Sequence, residues 1–104
     1  MNYILKQIKR LIIKGNYLFT LKAECELESE GLVMEDALES ILNAEDIFKI
    51  LNTSNPGTGK KEKLYIIKSE TYDNILIYTK GKIVKESGQE QFYVLISSKR
   101  AEYV

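Results

Sequence analysis

The chain predicts an α+β fold in which N-terminal helices pack on one face of an antiparallel β-sheet. Three observations carry that prediction. Apolar residues recur at helical spacing as far as Ala44, the pattern then turns to β-branched and aromatic runs, and the links between those runs are too short for parallel crossovers. With 104 residues, 44% hydrophobic and 29% charged, the chain has the size and composition of one globular domain spanning 1–104.

The first helix places Ile4, Leu5, Ile8, Leu11 and Ile12 on one stripe, with Lys6, Lys9, Arg10 and Lys14 largely off it. Those charges interrupt any signal-peptide core and no small-residue cleavage site follows, so the segment reads as an amphipathic helix. Gly15 stands where a helix C-terminal glycine belongs. Tyr17-Leu18-Phe19 is a short apolar connector or a single extended stretch. Thr20 is a candidate N-cap for a second helix whose inner residues are Ala23, Leu27 and Cys25, and Gly31 ends it. A third helix spans about Met34 to Asn43, with Ala37, Leu38, Ile41 and Leu42 inside and Glu35, Asp36 and Glu39 in the early turns, where the helix dipole favours acids.

Strand candidates follow at Asp46–Leu51, Leu64–Lys68, Ile75–Thr79 and Phe92–Ser97. Thr53 to Lys61, with Pro56, Gly57 and Gly59, reads as a loop, Glu70 to Asn74 and Gly81 to Glu90 as connectors, and Lys80–Lys85 extends the third of these strands or opens a hairpin. Short connections between successive strands favour an antiparallel meander.

Histidine is absent, which removes Ser-His-Asp and Cys-His catalysis and His-ligated zinc from consideration. No run approaches the roughly 20 apolar residues of a membrane helix. The single cysteine, Cys25, excludes an internal disulfide and fits a reducing, cytoplasmic compartment; the glutamates around it favour a structural over a nucleophilic role. Zero net charge conceals segregation. Residues 1–22 carry five bases and no acid, residues 23–50 nine acids against one base, and residues 51–104 nine bases against six acids. An electropositive surface beside an acidic one is expected, the former suited to a polyanion, unless these charges are simply solvated faces.

The loop PGTGKKEK lacks the Ser/Thr after Gly-Lys and the following helix of a nucleotide P-loop, so it reads as a basic surface loop. Carboxylates of the second and third helices face outward by periodicity, without metal-ligand spacing. The strands are more informative. Lys49, Lys63, Lys68, Lys80, Lys99 and Arg100 accompany Tyr65, Tyr78 and Tyr93, the mixture of cations and rings with which single-stranded nucleic acids are held. The alternative is ordinary strand composition with lysine at exposed edges.

The segments IKRLIIKGNYLFTLKAECELESEGL, MEDALESILNAEDIFKIL and VLISSKR resemble the MqsR branch of the RelE-like toxins, and a related bacterial domain family without an assigned activity. The similarity runs from about Leu5 to Arg100 through dispersed hydrophobic and small residues. It implies a RelE-like fold and a cytoplasmic, cofactor-free messenger-RNA endoribonuclease, the toxin of a type II toxin–antitoxin pair. Its implied partners are single-stranded mRNA and an antitoxin bearing zinc and a helix-turn-helix. By the resemblance, the functional lysine after the last helix falls on Lys49, the sheet tyrosine on Tyr78, and the C-terminal strand lysine on Arg100 or Lys99. Lys63, Tyr65, Lys68, Lys80 and Tyr93 would bind RNA. The family's strand glutamine has no clear counterpart, Tyr65-Ile66-Ile67 occupying that region, and Lys22 stands near the histidine of the related domains. A non-catalytic RNA- or protein-binding module on the same fold is the alternative.

Overall fold

A computed structural model of the protein describes residues 2–85 and 91–102, so part of the expected Gly81–Glu90 connector lies outside the described residues. The element order is α1 (Tyr3–Ile13), β1 (Tyr17–Phe19), α2 (Leu21–Ser29), α3 (Met34–Asn43), β2 (Lys49–Ser54), β3 (Lys61–Glu70), β4 (Leu76–Lys85) and β5 (Gln91–Arg100). Three N-terminal helices pack on a five-stranded, mostly antiparallel sheet of order β1-β5-β4-β3-β2.

Local chemistry sets the helix ends. The Asn2 side chain accepts from the Ile4 N–H at 2.7 Å and starts α1, and Gly15 takes the left-handed φ of +82° after it. Thr20 Oγ1 accepts from the Ala23 N–H at 3.2 Å to start α2, as its N-cap position predicts. In α3, Asp36 reaches back to the Val33 N–H at 3.0 Å.

The core lies between helices and sheet. Leu5, Ile8, Leu11 and Ile12 of α1 and Ile41 of α3 meet Tyr65, Ile67, Tyr93 and Leu95; Leu27, Leu32 and Ala37 meet Ile77. Cys25 is exposed and contributes nothing to this core, contrary to its predicted inner position.

The sheet departs from a pure meander at one edge. Tyr17–Phe19 is a strand, and it pairs parallel with β5, Tyr17 opposite Tyr93 and Phe19 opposite Leu95. This long-range partner is invisible to local pattern. The next strand begins at Lys49 rather than Asp46, and Thr53, Ser54 and Lys61 join the ladder, which shortens the glycine-rich loop. Lys80–Lys85 continues β4. Among the described residues no helix is long and apolar enough to cross a membrane.

Candidate nucleic-acid interface

Because cross-strand partners share a face, the register sorts every strand side chain. Ile50, Tyr65, Gly81 and Leu95 align on the helix-covered side, as do Ile67, Thr79 and Ser98. The opposite face carries no helix. Its residues are Lys49 and Leu51 from β2, Leu64, Ile66 and Lys68 from β3, Tyr78, Lys80 and Lys82 from β4, and Phe92, Val94, Ser97 and Lys99 from β5, of which Ile66 and Ser97 are buried. Five lysines face two acids there, and one of those acids, Glu62, is paired with Lys82 at 2.8 Å.

Two rows cross this open face. In one, Lys68, Tyr78 and Lys99 are successive cross-strand partners on β3, β4 and β5. In the adjacent row, two residues along each strand, stand Lys49, Ile66, Lys80 and Ser97. Rows two residues apart are separated by roughly 7 Å, and neighbouring strands by roughly 5 Å, so Lys68 and Lys99 flank Tyr78 within reach of a single phosphodiester. Lys99 Nζ lies 5.3 Å from the Tyr78 ring centroid, and Lys68 Nζ lies 4.3 Å from that of Phe48, so aromatic rings hold both ammonium groups.

A β-bulge decides which basic residue completes the first row. Gly81 pairs with Leu95 and Lys80 with Ser97, leaving Ile96 as an extra residue on β5. The insertion brings Lys99 opposite Tyr78 and turns Arg100 to the helix side, opposite Ile77. Of the residues singled out in the sequence, the open face therefore gathers Lys49, Lys68, Tyr78, Lys80 and Lys99. Arg100 stands apart. Lys63 pairs with Asn52 on the other side of the sheet. Tyr65 and Tyr93 are 7% and 0% exposed in the core, so neither ring reaches a ligand on the open face.

One group close to this row escaped sequence reasoning. Glu26 of α2 is not a purely outward carboxylate: its Oε1 accepts from Ser97 Oγ at 2.7 Å and from the Ser98 N–H at 3.2 Å. One turn later, Glu30 Oε2 accepts from the Arg100 N–H at 2.9 Å. β1 covers β5 only as far as Leu95, and these carboxylates, spaced i and i+4, satisfy edge N–H groups beyond it. Burial opposes ionisation of Glu26, but the Ser97 and Ser98 hydrogen bonds, with Lys22 and Lys99, outweigh it and hold its pKa below the ordinary glutamate value. Burial, and then the negative charge of Glu26, push the Tyr78 pKa up. Tyr78 is thus a phenol at neutral pH, able to donate a hydrogen bond. The alternation of glutamates along α2 was the one available signal, since Glu26 and Glu30 share a helix face.

Among the described residues, no group of three or more Cys, Asp and Glu side chains is placed to hold a metal ion. A cleft of about 740 Å³ adjoins the row at Lys68, lined also by Phe48, Tyr72, Glu45, Asp46 and Leu76. Neither a protein-family model, nor a curated protein, nor a solved structure matches the chain.

Proposed function

We propose that the open face binds single-stranded RNA and cleaves it without a metal, as the toxin of a type II toxin–antitoxin pair. The observation that carries this reading is the Lys68–Tyr78–Lys99 row on an uncovered, lysine-rich sheet face. Such a surface offers ammonium groups to phosphates and a ring and apolar residues to bases.

Cleavage would proceed by in-line attack of a ribose 2′-OH on the adjacent phosphate: the O2′–P bond forms as the hydroxyl proton passes to solvent, the P–O5′ bond breaks, and a 2′,3′-cyclic phosphate and a 5′-hydroxyl result. The phosphorane that forms carries extra negative charge, which Lys68 and Lys99 would stabilise from either side. Tyr78, kept protonated, would donate a hydrogen bond or proton towards the departing oxygen. Lys49, in the next row, would position the neighbouring phosphate. The resemblance to MqsR-like toxins supports the same chemistry. Across from Tyr78 on β3 stands Lys68, while the family's glutamine has no clear counterpart at Tyr65-Ile66-Ile67.

Purified protein incubated with varied single-stranded RNA in the presence of a chelator tests this. Cleavage is expected, together with growth arrest on induction. Lys99→Ala and Tyr78→Phe should each lower the rate at least tenfold, while Arg100→Ala changes it little. RNA left intact by clean protein would overturn the nuclease reading. A neighbouring reading frame encoding two C-x-x-C pairs and a helix-turn-helix would support the antitoxin pairing.

The raised pKa of Tyr78 favours a second reading, a non-catalytic RNA-binding module, because it makes the phenol a weaker acid towards the departing oxygen. Affinity without cleavage, falling steeply with salt, identifies that case.

A further inference from the structure

The outward faces of α1 and α3 are complementary in charge and lie side by side. On α1, Tyr3, Lys6, Arg10 and Ile13 form one exposed stripe opposite the buried Leu5, Ile8 and Ile12; Tyr3 and Ile13 are 80% and 75% exposed. On α3, the outward side carries Glu35, Glu39 and Leu42, bordered by Leu38 and Met34. Glu39 accepts the Tyr72 N–H at 2.6 Å, which holds that tyrosine beside Leu38 and Leu42 along a shallow groove of about 250 Å³. The helices are tied together by Lys9, whose Nζ donates to the Ala44 carbonyl at 2.6 Å. Among the described residues the only ion pair is Lys82–Glu62, so neither stripe is neutralised within the chain.

We infer that the α1–α3 surface associates with a second copy of this chain, α1 of each protomer lying on α3 of its partner. A two-fold axis running between the two helices, in the plane of the contact, places each α1 over the other's α3. The basic stripe then meets the acidic one twice, and the assembly closes at two copies. Lys6 and Arg10 face Glu35 and Glu39, while Tyr3 and Ile13 seat against Leu38, Leu42 and Tyr72. Two short helices offer less than the roughly 800 Å² per partner of a standard interface, so the dimer is weak and rapidly exchanging. This contact uses the helix layer and leaves the open sheet face free, so it stands or falls independently of RNA binding.

Sedimentation equilibrium of the full chain, up to millimolar concentration, tests it. The expected mass rises with concentration from 12.0 kDa towards twice that value. It returns to the monomer value in about 1 M salt, where the Debye length is about 3 Å. Lys6→Glu with Arg10→Glu should abolish association, as should Glu35→Lys with Glu39→Lys, and all four substitutions together should restore it. Circular dichroism melts of each variant establish that it is folded. A mass fixed at the monomer value throughout overturns the inference and leaves the α3 face to a basic partner other than this chain. A dimer that survives either charge reversal, but is dispersed by Ile50→Pro, also overturns it and assigns the contact to the β2 edge.

Discussion

Gly81 has no side chain because Tyr93 occupies the space. A Cβ built there would stand 2.5 Å from Tyr93 Cζ, 2.6 Å from its Oη and 2.8 Å from Cε2. Carbon atoms in comfortable contact are about 3.5–4.0 Å apart, so in Gly81→Ala the ring must retreat by roughly 1 Å. Tyr93 is fully buried against α1 and the neighbouring strands, and has no open side into which to move. Overpacking of this kind costs about 1–3 kcal/mol, and the closeness of three contacts places this case at the upper end. Replacing glycine also stiffens the unfolded chain, returning about 0.4–1 kcal/mol. The net loss is about 2 kcal/mol, or a fall in Tm of roughly 8–16 °C for a domain of this size.

Urea unfolding followed by circular dichroism measures that loss, with the m-value as a check that the transition keeps its form. The decisive comparison repeats Gly81→Ala in two backgrounds. In Tyr93→Leu, which vacates the ring's far end, the alanine should cost less than about 0.5 kcal/mol, the usual limit for additivity between uncoupled sites. In Tyr93→Phe the Cζ contact persists, so most of the penalty should persist as well. An equal penalty in all backgrounds would refute the reasoning and move the strain to the backbone.

Three further outcomes are expected. Tyr93 Oη is buried without a hydrogen-bond partner among the described residues, so Tyr93→Phe alone should be neutral or stabilise by about 1 kcal/mol in the same urea assay. Glu26→Ala strands the Ser98 N–H and should destabilise by about 1–3 kcal/mol, with Glu26→Gln milder. Because the folded pKa of Glu26 lies below the ordinary 4.5, its contribution is complete above that pH and is lost as pH falls through the folded value. Stability measured from pH 6 downwards should therefore fall less steeply in Glu26→Gln than in the parent (about one proton's worth of slope at most).

Much of the fold was legible because its helices obey local rules. Thr20 starts α2 with the side-chain hydrogen bond that its residue type announces, and the α1 stripe matches the buried set closely. What was not legible depended on partners far along the chain. Tyr17–Phe19 is too short to declare itself a strand, and becomes one because β5 lies beside it. Glu26 and Glu30 look like two solvated glutamates until the uncovered edge of β5 is placed against α2. The tyrosines divide on the same principle. Tyr65, Tyr78 and Tyr93 all sit in apolar strand runs, but register sends two rings into the core and one to the open face.

The bulge at Ile96 shows how one residue separates composition from function. From Val94, strict alternation would carry Ile96, Ser98 and Arg100 to the open face and hide Lys99. That is the arrangement in which Arg100 serves a ligand there. The extra residue reverses the order for the rest of β5, so Ser97 and Lys99 share the face of Lys80 and Tyr78 while Ser98 turns to the helix side. The reversal has a second consequence. It brings the Ser97 hydroxyl to Glu26, whose charge is felt by both Lys99 and Tyr78. Lys99 is thus selected by backbone geometry and lies against the Tyr78 ring, whereas Arg100 contributes its backbone N–H to Glu30. If the open face binds phosphates, the two adjacent bases should behave oppositely. Lys99→Ala should weaken RNA binding and lower its dependence on salt by about one phosphate contact. Arg100→Ala should leave both unchanged, and equal losses from the two substitutions would mean that the bulge does not set the face.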